Sequence, residues 1–418
     1  MFDSYICALD IGSSKCAACV AVVKRKRVTD IFFESIPSKG IKNGIIVDST
    51  SLIDTVSKLL KSLRAHSGIK IKFINVNISG EDVVTRHSRA IVPLAERGNK
   101  VITASDVQNA NEQARILGSS LNEEIVHTVP CAYAIDSKSN IINPIGLYSH
   151  KLEVDLYLIC GRVASIQSLS RAIHQAGYEI KNLFFSGLAT SKLIFNKELK
   201  EANIVFCDIG SDTTELLLFS SGLLKDIQIL SFGGYDLTVR LQEALKIPFE
   251  LAEEIKRSHG IIADPAEIGE DKEILVKKSD LYKPIKQRLV SEIIASAATS
   301  ICSYIKEAVE NKIPNYEVNH FVVAGRTVLL EGFIETLENA LSIPVRLSCV
   351  SHPQIAPFIK EDDKLSGMKY LTYLTSLGMI CEALEENTLG FLPMASPLTS
   401  NIITKTFSRA REIYQEYF

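Results

Sequence analysis

The chain predicts an α/β protein of two related lobes, with a small α+β unit inserted in the first. Three observations carry this. At 418 residues it is too long for one hydrophobic core, so two or more domains are expected. A strand–turn–strand unit occurs once near the start of each half: residues 5–23 read YICALDIGSSKCAACVAVV and residues 204–219 read IVFCDIGSDTTELLLF. Each is an apolar run, Asp-Ile-Gly, small hydroxyl residues and a second apolar run, which implies two lobes of common design facing one another across a cleft. Segment 72–161 reads as strand, helix over about 104–117, strand and strand, an inserted α+β unit.

Composition bounds the class. Apolar residues make up 46% and charged residues 23%, ordinary for a soluble globular protein. Basic residues number 46 against 49 acidic, a net charge of −3, so the basic excess of a nucleic-acid binder is missing. The run Lys24-Arg25-Lys26-Arg27 lies between apolar stretches and reads as a hairpin turn. Nine cysteines, an odd number, mostly sit inside apolar runs, which predicts reduced, buried thiols in a reducing compartment. Cys16-x-x-Cys19 stands alone in a strand without a second pair or a nearby histidine, and a zinc site needs four ligands. The N-terminus MFDSYICALDIG has no basic region and no cleavage site. No apolar stretch reaches the ~18 residues that a spanning helix requires. The expectation is a cytoplasmic chain.

The two turns carry the candidate chemistry. Glycine, here Gly12 and Gly210, lets backbone amides approach a phosphate closely. Ser13 and Ser14 in the first turn, and Thr213 and Thr214 in the second, add hydroxyl donors, and Lys15 offers a cation. Asp10 and Asp208 end the preceding strands, where a carboxylate holds Mg2+ directly or through water. Either unit alone reads as an ordinary β-hairpin; the pair favours phosphate binding. Residues 320–345, HFVVAGRTVLLEGFIETLENALSIPV, read as strand, loop, helix from about Glu331 to Ala340 and strand, a piece able to close over an adenosine. Glu253 and Lys256 in PFELAEEIKRSHG are three apart on one helix face. That spacing suits a ribose, and on spacing alone a surface salt bridge is favoured.

The tail has its own pattern. NTLGFLPMASPLTS, with Pro393 and Pro397, reads as a linker. In NIITKTFSRAREIYQEYF, Ile403, Phe407, Ala410, Tyr414 and Tyr417 recur on one helical face, with Ile413 and Phe418 widening it. Lys405, Arg409, Glu412 and Glu416 fall opposite. Such a helix suits a membrane interface and equally a docked terminal helix. Three basic against two acidic residues in it imply modest binding, strengthened when several anchors act together on one filament.

Together ALDIGSSKCAACVAVV, CDIGSDTTELLLFSSG, SFGGYDLTVRLQEALKIPFELAEEIKRSHG and FVVAGRTVLLEGFIETLENALSIPVRL resemble the actin-like bacterial cell division family FtsA, from about residue 5 to about 385 and again in the last helix. The turn motifs belong to the whole actin, chaperone and sugar-kinase superfamily; the stretch from Gly233-Gly234 to PFELAEEIK is more specific. The resemblance implies a two-lobed actin-like (ribonuclease-H-like) fold with an inserted subdomain and a C-terminal amphipathic helix. Its parts would be 1–82 and 164–201 for the first core, 83–163 for the insert, 202–235 and 303–388 for the second core, and 236–302 for its small subdomain. A linker over 389–401 and a membrane-targeting helix over 402–418 would follow. It implies ATP and Mg2+ as cofactors, with Gly233, Glu253, Lys256 and Gly325 on the nucleoside side. The membrane group would be Ile403, Lys405, Phe407, Arg409, Tyr414, Tyr417 and Phe418.

The implied role is a nucleotide-dependent scaffold with weak or absent ATPase activity and no assigned catalytic residue. It would polymerise and tether FtsZ filaments, through their C-terminal peptide, to the inner face of the cell membrane at the division site, and recruit later division proteins. The small subdomain of the second lobe would take FtsZ. Two departures weigh on nucleotide affinity: Gly210-Ser211-Asp212 and Gly325-Arg326-Thr327 replace glycine-rich turns. A carboxylate ~4 Å from a phosphate costs about 4 kcal/mol at an effective dielectric of about 20. Two rivals remain: a PilM-like membrane scaffold, against which the terminal helix argues, and a small-molecule kinase, for which no clear base motif is present.

Overall fold

Ser4–Ile11 (β1) and Lys15–Lys24 (β2) are buried along most of their length, which is why they read as unbroken apolar runs rather than alternating ones. They open the first sheet of the computed structural model, which describes residues 4–388 except 96–97, 137, 197–198, 200–201, 263–272, 279–280, 362–364 and 366. The linker from 389 and the whole C-terminal segment, with Ile403, Lys405, Phe407, Arg409, Tyr414, Tyr417 and Phe418, lie outside the described residues. Two compact units emerge. Unit 1 takes 4–194, 223–225 and 350–388; unit 2 takes 195–222 and 226–349.

In unit 1 the strands continue as β3 (Arg27–Pro37), β4 (Phe73–Ile78), β5 (Val83–Pro93), β6 (Glu123–Ile135), β7 (Lys138–Ile141), β8 (Lys151–Arg162) and β9 (Glu179–Phe185). The basic run is the β2–β3 turn, with Arg25 and Lys26 left-handed. The main sheet has the order β9-β4-β1-β2-β3. β2 is antiparallel to both neighbours, whereas β1, β4 and β9 run parallel.

Helix α1 (Ser49–Ser67) starts at Asp48, whose carboxylate accepts the Ser51 amide at 3.1 Å, and stops at left-handed Gly68. Its stripe Leu52, Val56, Leu59, Leu60 and Leu63 is fully buried against Cys7, Leu9, Cys16 and Val20, each leucine contributing about 1.5–3 kcal/mol. On the other face β2 presents Ala17, Cys19 and Ala21, all at 0% exposure. There the Cys19 thiol meets the Ser376 hydroxyl at 3.0 Å, on the helix Leu374–Thr388. Cys16 and Cys19, three apart in a strand, therefore point to opposite faces and share no ligand.

The helix Leu374–Thr388 packs on β1 and on α4 (Ser186–Ile194). The contact is close: a Cβ on Gly378 would stand 2.2 Å from the Ala189 carbonyl oxygen. This corrects one boundary. Residues 350–388 group with unit 1 rather than with the second core, because that helix closes the small-residue face of the first sheet.

The inserted sheet is antiparallel, in the order β7-β6-β8-β5. Helix α2 (Ala104–Leu117) covers one face, with Thr103 and Asp106 forming a capping box. Ala110 and Ala114 pack against Leu156 and Leu158, and the Ser88 hydroxyl donates to the Ala114 carbonyl at 2.6 Å. Helix α3 (Val163–Gln175) leads back into the main sheet.

Unit 2 repeats the plan. β10 (Asn203–Ile209), β11 (Thr214–Ser220), β12 (Leu223–Leu230), β13 (His320–Ala324) and β14 (Val345–Leu347) are ordered β12-β11-β10-β13-β14. The first hairpin is antiparallel, and β10, β13 and β14 run parallel. Helices α5 (Gly234–Leu245), α6 (Phe249–His259), α7 (Gln287–Glu310) and α8 (Phe333–Leu341) build its core with Ile209, Phe321 and Val323. α8 begins at Phe333 rather than Glu331 because Gly332 is left-handed, at φ 81°. No described helix is long and apolar enough to cross a membrane.

One buried contact ties the insert to the main sheet. His127 on β6 is 5% exposed and its Nε2 accepts the Phe185 amide at 2.8 Å. Glu382 lies 3.7 Å from Nδ1, and Lys192 is 3.4 Å from Glu382. Burial holds the imidazole below its ordinary value of 6.5, with Glu382 opposing and Lys192 adding to the shift. Below 6.5 the unfolded chain therefore binds more protons, so stability is complete above that pH and falls as the solution is acidified. Thermal unfolding followed from about pH 7.5 to 5.5 should show Tm falling, and His127→Gln, which keeps an acceptor but cannot titrate, should flatten part of that fall. An identical slope in the variant would exclude His127 as a contributor.

Candidate functional site

In unit 1 the β1–β2 turn is closed by the Gly12 amide donating to the Lys15 carbonyl at 3.0 Å. The Ser13 hydroxyl accepts the Gly44 amide at 3.4 Å, and the Ser14 carbonyl accepts the Ser38 amide at 3.2 Å; Ser14 itself is exposed. Asp10, at 6% exposure, is held on both oxygens. Lys15 Nζ stands 2.7 Å from Oδ2, and Asn77 Nδ2 donates to Oδ1 at 3.0 Å. Asn77 is itself fixed: its Oδ1 accepts the Ile11 amide at 2.7 Å, and its Nδ2 also reaches the Ser186 hydroxyl at 2.9 Å. Asp10 and Lys15 are thus neighbours from opposite arms of one hairpin, leaving an anchored carboxylate beside a cation.

In unit 2 the β10–β11 turn closes the same way, Gly210 amide to Thr213 carbonyl at 3.0 Å. Here the first turn of α5 buttresses it. The Gly234 amide donates to the Gly210 carbonyl at 3.0 Å and the Tyr235 amide to the Ser211 carbonyl at 2.7 Å. Thr327 Oγ1 donates to the same Gly210 carbonyl at 2.8 Å. Backbones approach so closely that a Cβ on Gly233 would lie 2.5 Å from the Ser211 oxygen. At Gly325, which is left-handed at φ 90°, a Cβ would lie 2.1 Å from the Ile209 oxygen and 2.9 Å from Asp208 Oδ1. Asp208, Gly210, Gly233 and Gly325 therefore meet in one place. Asp212 Oδ1 accepts the Ser211 hydroxyl at 2.8 Å. Thr214 is fully buried and donates to the Phe232 carbonyl at 2.9 Å, so its hydroxyl secures the following loop.

Glu253 and Lys256 do pair, at 2.6 Å, but this is more than a surface salt bridge. Lys256 is 8% exposed, and its Nζ donates to the Gly234 carbonyl at 2.8 Å and to Thr238 Oγ1 at 2.7 Å. Thr238 Oγ1 lies 2.6 Å from Glu253 Oε2, and Arg257 holds Oε1 at 3.0 Å. Burial pushes the Lys256 ammonium below its ordinary value, and the Glu253 carboxylate opposes the shift. The network joins α6 to the start of α5, the helix that buttresses the turn. Asn77, Ser186, Thr238 and Thr327 were not singled out by pattern. The available signal was the pair Asn75 and Asn77, two polar residues in the short strand FINVNI, both buried.

The family model described as cell division protein FtsA matches residues 205–374, and the model of the SHS2 domain inserted in FtsA matches residues 80–160. The chain belongs to the FtsA family. Cell division protein FtsA of Borreliella burgdorferi is 26% identical over 352 residues, covering 83% of this chain and 85% of that one. The Escherichia coli K12 protein is 24% identical over 407 residues, covering 95% and 94%. Among solved structures, the PilM–PilN type IV pilus biogenesis complex aligns with a TM-score of 0.64 at 16% identity, covering 91% of this chain and 98% of that one. MreB5 of Spiroplasma citri bound to ADP aligns with a TM-score of 0.54 at 11% identity, covering 92% and 98%. These likenesses show the actin-like fold. The matched insertion coincides with the β5–β8 sheet and α2.

In this FtsA-family chain the two turns should differ in what breaks them. Gly325→Ala forces a Cβ against the Ile209 carbonyl at a left-handed position and should cost about 1–3 kcal/mol in urea unfolding. Asn77→Ala leaves the buried Asp10 oxygen and the Ile11 amide short of a partner and should cost a similar ~1–3 kcal/mol. A loss below about 0.5 kcal/mol for either would show that these contacts do not hold the turns.

Proposed function

We propose that this FtsA-family division protein is an ATP-binding, filament-forming scaffold. It tethers FtsZ filaments to the inner face of the cytoplasmic membrane at the division site and brings in later division proteins. The observation that carries the nucleotide part is the β10–β11 turn, held at the start of α5 with Gly210, Gly233 and Gly325 in close backbone approach. Bare backbone beside a helix N-terminus is what a phosphate chain requires. Gly12, Ser13, Ser14 and Lys15 are the proposed phosphate contacts of unit 1, and Gly210 and Thr213 those of unit 2. Thr214 acts there by holding the turn. Asp10 and Asp208 are the proposed Mg2+ ligands, directly or through water; their positions at the ends of β1 and β10 fit a hard cation that takes oxygen ligands. Gly233, Glu253, Lys256 and Gly325 serve the nucleoside side, with the Lys256 network shaping the backbone there. The same fold solved with ADP and with AMPPNP in MreB5 of Spiroplasma citri supports a nucleotide.

Turnover is not the proposed output. A carboxylate at the tip of the second turn disfavours tight triphosphate binding, so ATP serves assembly. The tail supplies the membrane contact through Ile403, Phe407, Tyr414, Tyr417 and Phe418, with Lys405 and Arg409 meeting anionic headgroups. Co-sedimentation with anionic vesicles tests the whole reading. With Mg-ATP the full chain should pellet with lipid and carry FtsZ down with it. The chain ending at Ser400 should leave both in the supernatant. Lys15→Ala should weaken ATP binding at least ~10-fold by calorimetry, as loss of a phosphate-bound cation does. Pelleting of the truncated chain, or lipid binding without FtsZ, would overturn the tether.

A further inference from the structure

The face of the inserted sheet opposite α2 holds a cluster unrelated to the turns. β5 contributes His87, β8 contributes Asp155 and β6 contributes Cys131. Pairing sets Asp155 opposite Ala132 and then Leu156 opposite Pro130, so Cys131 is the extra residue of a β-bulge. A bulge re-aims a side chain. Here one ligand atom from each of the three residues lies within 4.8 Å of the other two. His87 Nδ1 is 2.9 Å from Asp155 Oδ1, while Arg89 Nε donates to Oδ2 at 2.9 Å. The His87 ring packs edge-on against Tyr157, with centroids 4.7 Å apart.

We propose that His87, Cys131 and Asp155 form a binding site for a divalent transition-metal ion of the zinc class, with water as fourth ligand. Imidazole, thiolate and carboxylate oxygen are the donors such an ion selects, and three protein ligands leave the open position of a tetrahedron. The thiolate and the carboxylate together neutralise the ion. Both flanking partners fit this role: Arg89 engages the carboxylate oxygen that faces away from His87, and Tyr157 fixes the imidazole plane. Metal–ligand bonds of about 2.0 Å in a tetrahedron separate N and O by about 3.3 Å. The His87–Asp155 hydrogen bond therefore opens by only a few tenths of an ångström. In the free protein the Cys131 thiol is buried, at 3% exposure. Binding exchanges its proton, released to solvent, for the metal. The ion would join the three strands β5, β6 and β8 across the bulge.

The bland reading is a hydrogen-bonded His–Asp–Arg surface group beside a core cysteine, and titration separates the two. The full chain, stripped with chelator and titrated with Co2+ and with Zn2+, should take one ion per chain. It should show a thiolate-to-cobalt charge-transfer band in the near ultraviolet and gain a few degrees in Tm under excess zinc. His87→Gln, at a half-exposed position that leaves the fold intact, and Cys131→Ser should each weaken binding at least ~10-fold. Cys349→Ser, which removes the exposed cysteine, should change nothing. Absence of the band, binding that survives His87→Gln and Cys131→Ser, or binding lost with Cys349 would overturn the site.

Discussion

A glycine amide that turns back to the carbonyl three residues on is the constraint from which both units are built. Gly12 bonds Lys15 and Gly210 bonds Thr213, each at 3.0 Å. Each bond closes a hairpin whose first strand is the centre of a five-stranded sheet. Because the turn is short, the strands on either side stay in register for their whole length, Ser4 to Val23 in one unit and Asn203 to Ser220 in the other. The rest of each sheet is laid down parallel to that first strand. A longer turn would free the register, and with it the alternation that separates the two faces.

The units secure this shared turn by different means. Unit 1 uses side chains: a buried carboxylate, Asp10, satisfied by Lys15 and by Asn77, which in turn holds the Ile11 amide. Unit 2 uses backbone: the amides of Gly234 and Tyr235 reach the turn carbonyls directly, which is possible only where Gly233 and Gly325 carry no Cβ. The buried Lys256 then fixes the carbonyl of Gly234 from behind. Paired charges inside a protein are costly unless every lone pair and proton is engaged. Here Lys256 has Glu253, Thr238 and Gly234 as partners, and Glu253 has Arg257 besides.

Much of this was legible in sequence, for reasons that can be named. The repeated hairpins show as twin apolar runs around Asp-Ile-Gly, and the helix Ala104–Leu117 lies where segment 72–161 reads as helical. The grouping of 350–388 was not legible. The helix Leu374–Thr388 follows unit 2 in the chain, and the surface that receives it, Ala17, Cys19 and Ala21, is small rather than patterned. Cys16 and Cys19 look like a pair only while the strand's two faces are ignored. Cys131, His87 and Asp155 lie on three separate strands and meet through a bulge that no spacing rule encodes.

The departures from glycine at the second turn have a structural account. Where a freer turn would carry glycine, Ser211 and Asp212 bond each other at 2.8 Å, and Thr327 spends its hydroxyl on the Gly210 carbonyl. Side-chain hydrogen bonds thus replace backbone freedom, fixing the turn at a conformation that glycine would merely permit. The carbonyl of Gly210, gripped by both Thr327 and the start of α5, couples the turn to the helix behind it. Any movement of the turn must therefore be shared by α5 and, through Lys256, by α6. A turn wired in this way passes any displacement at its tip to two helices at once.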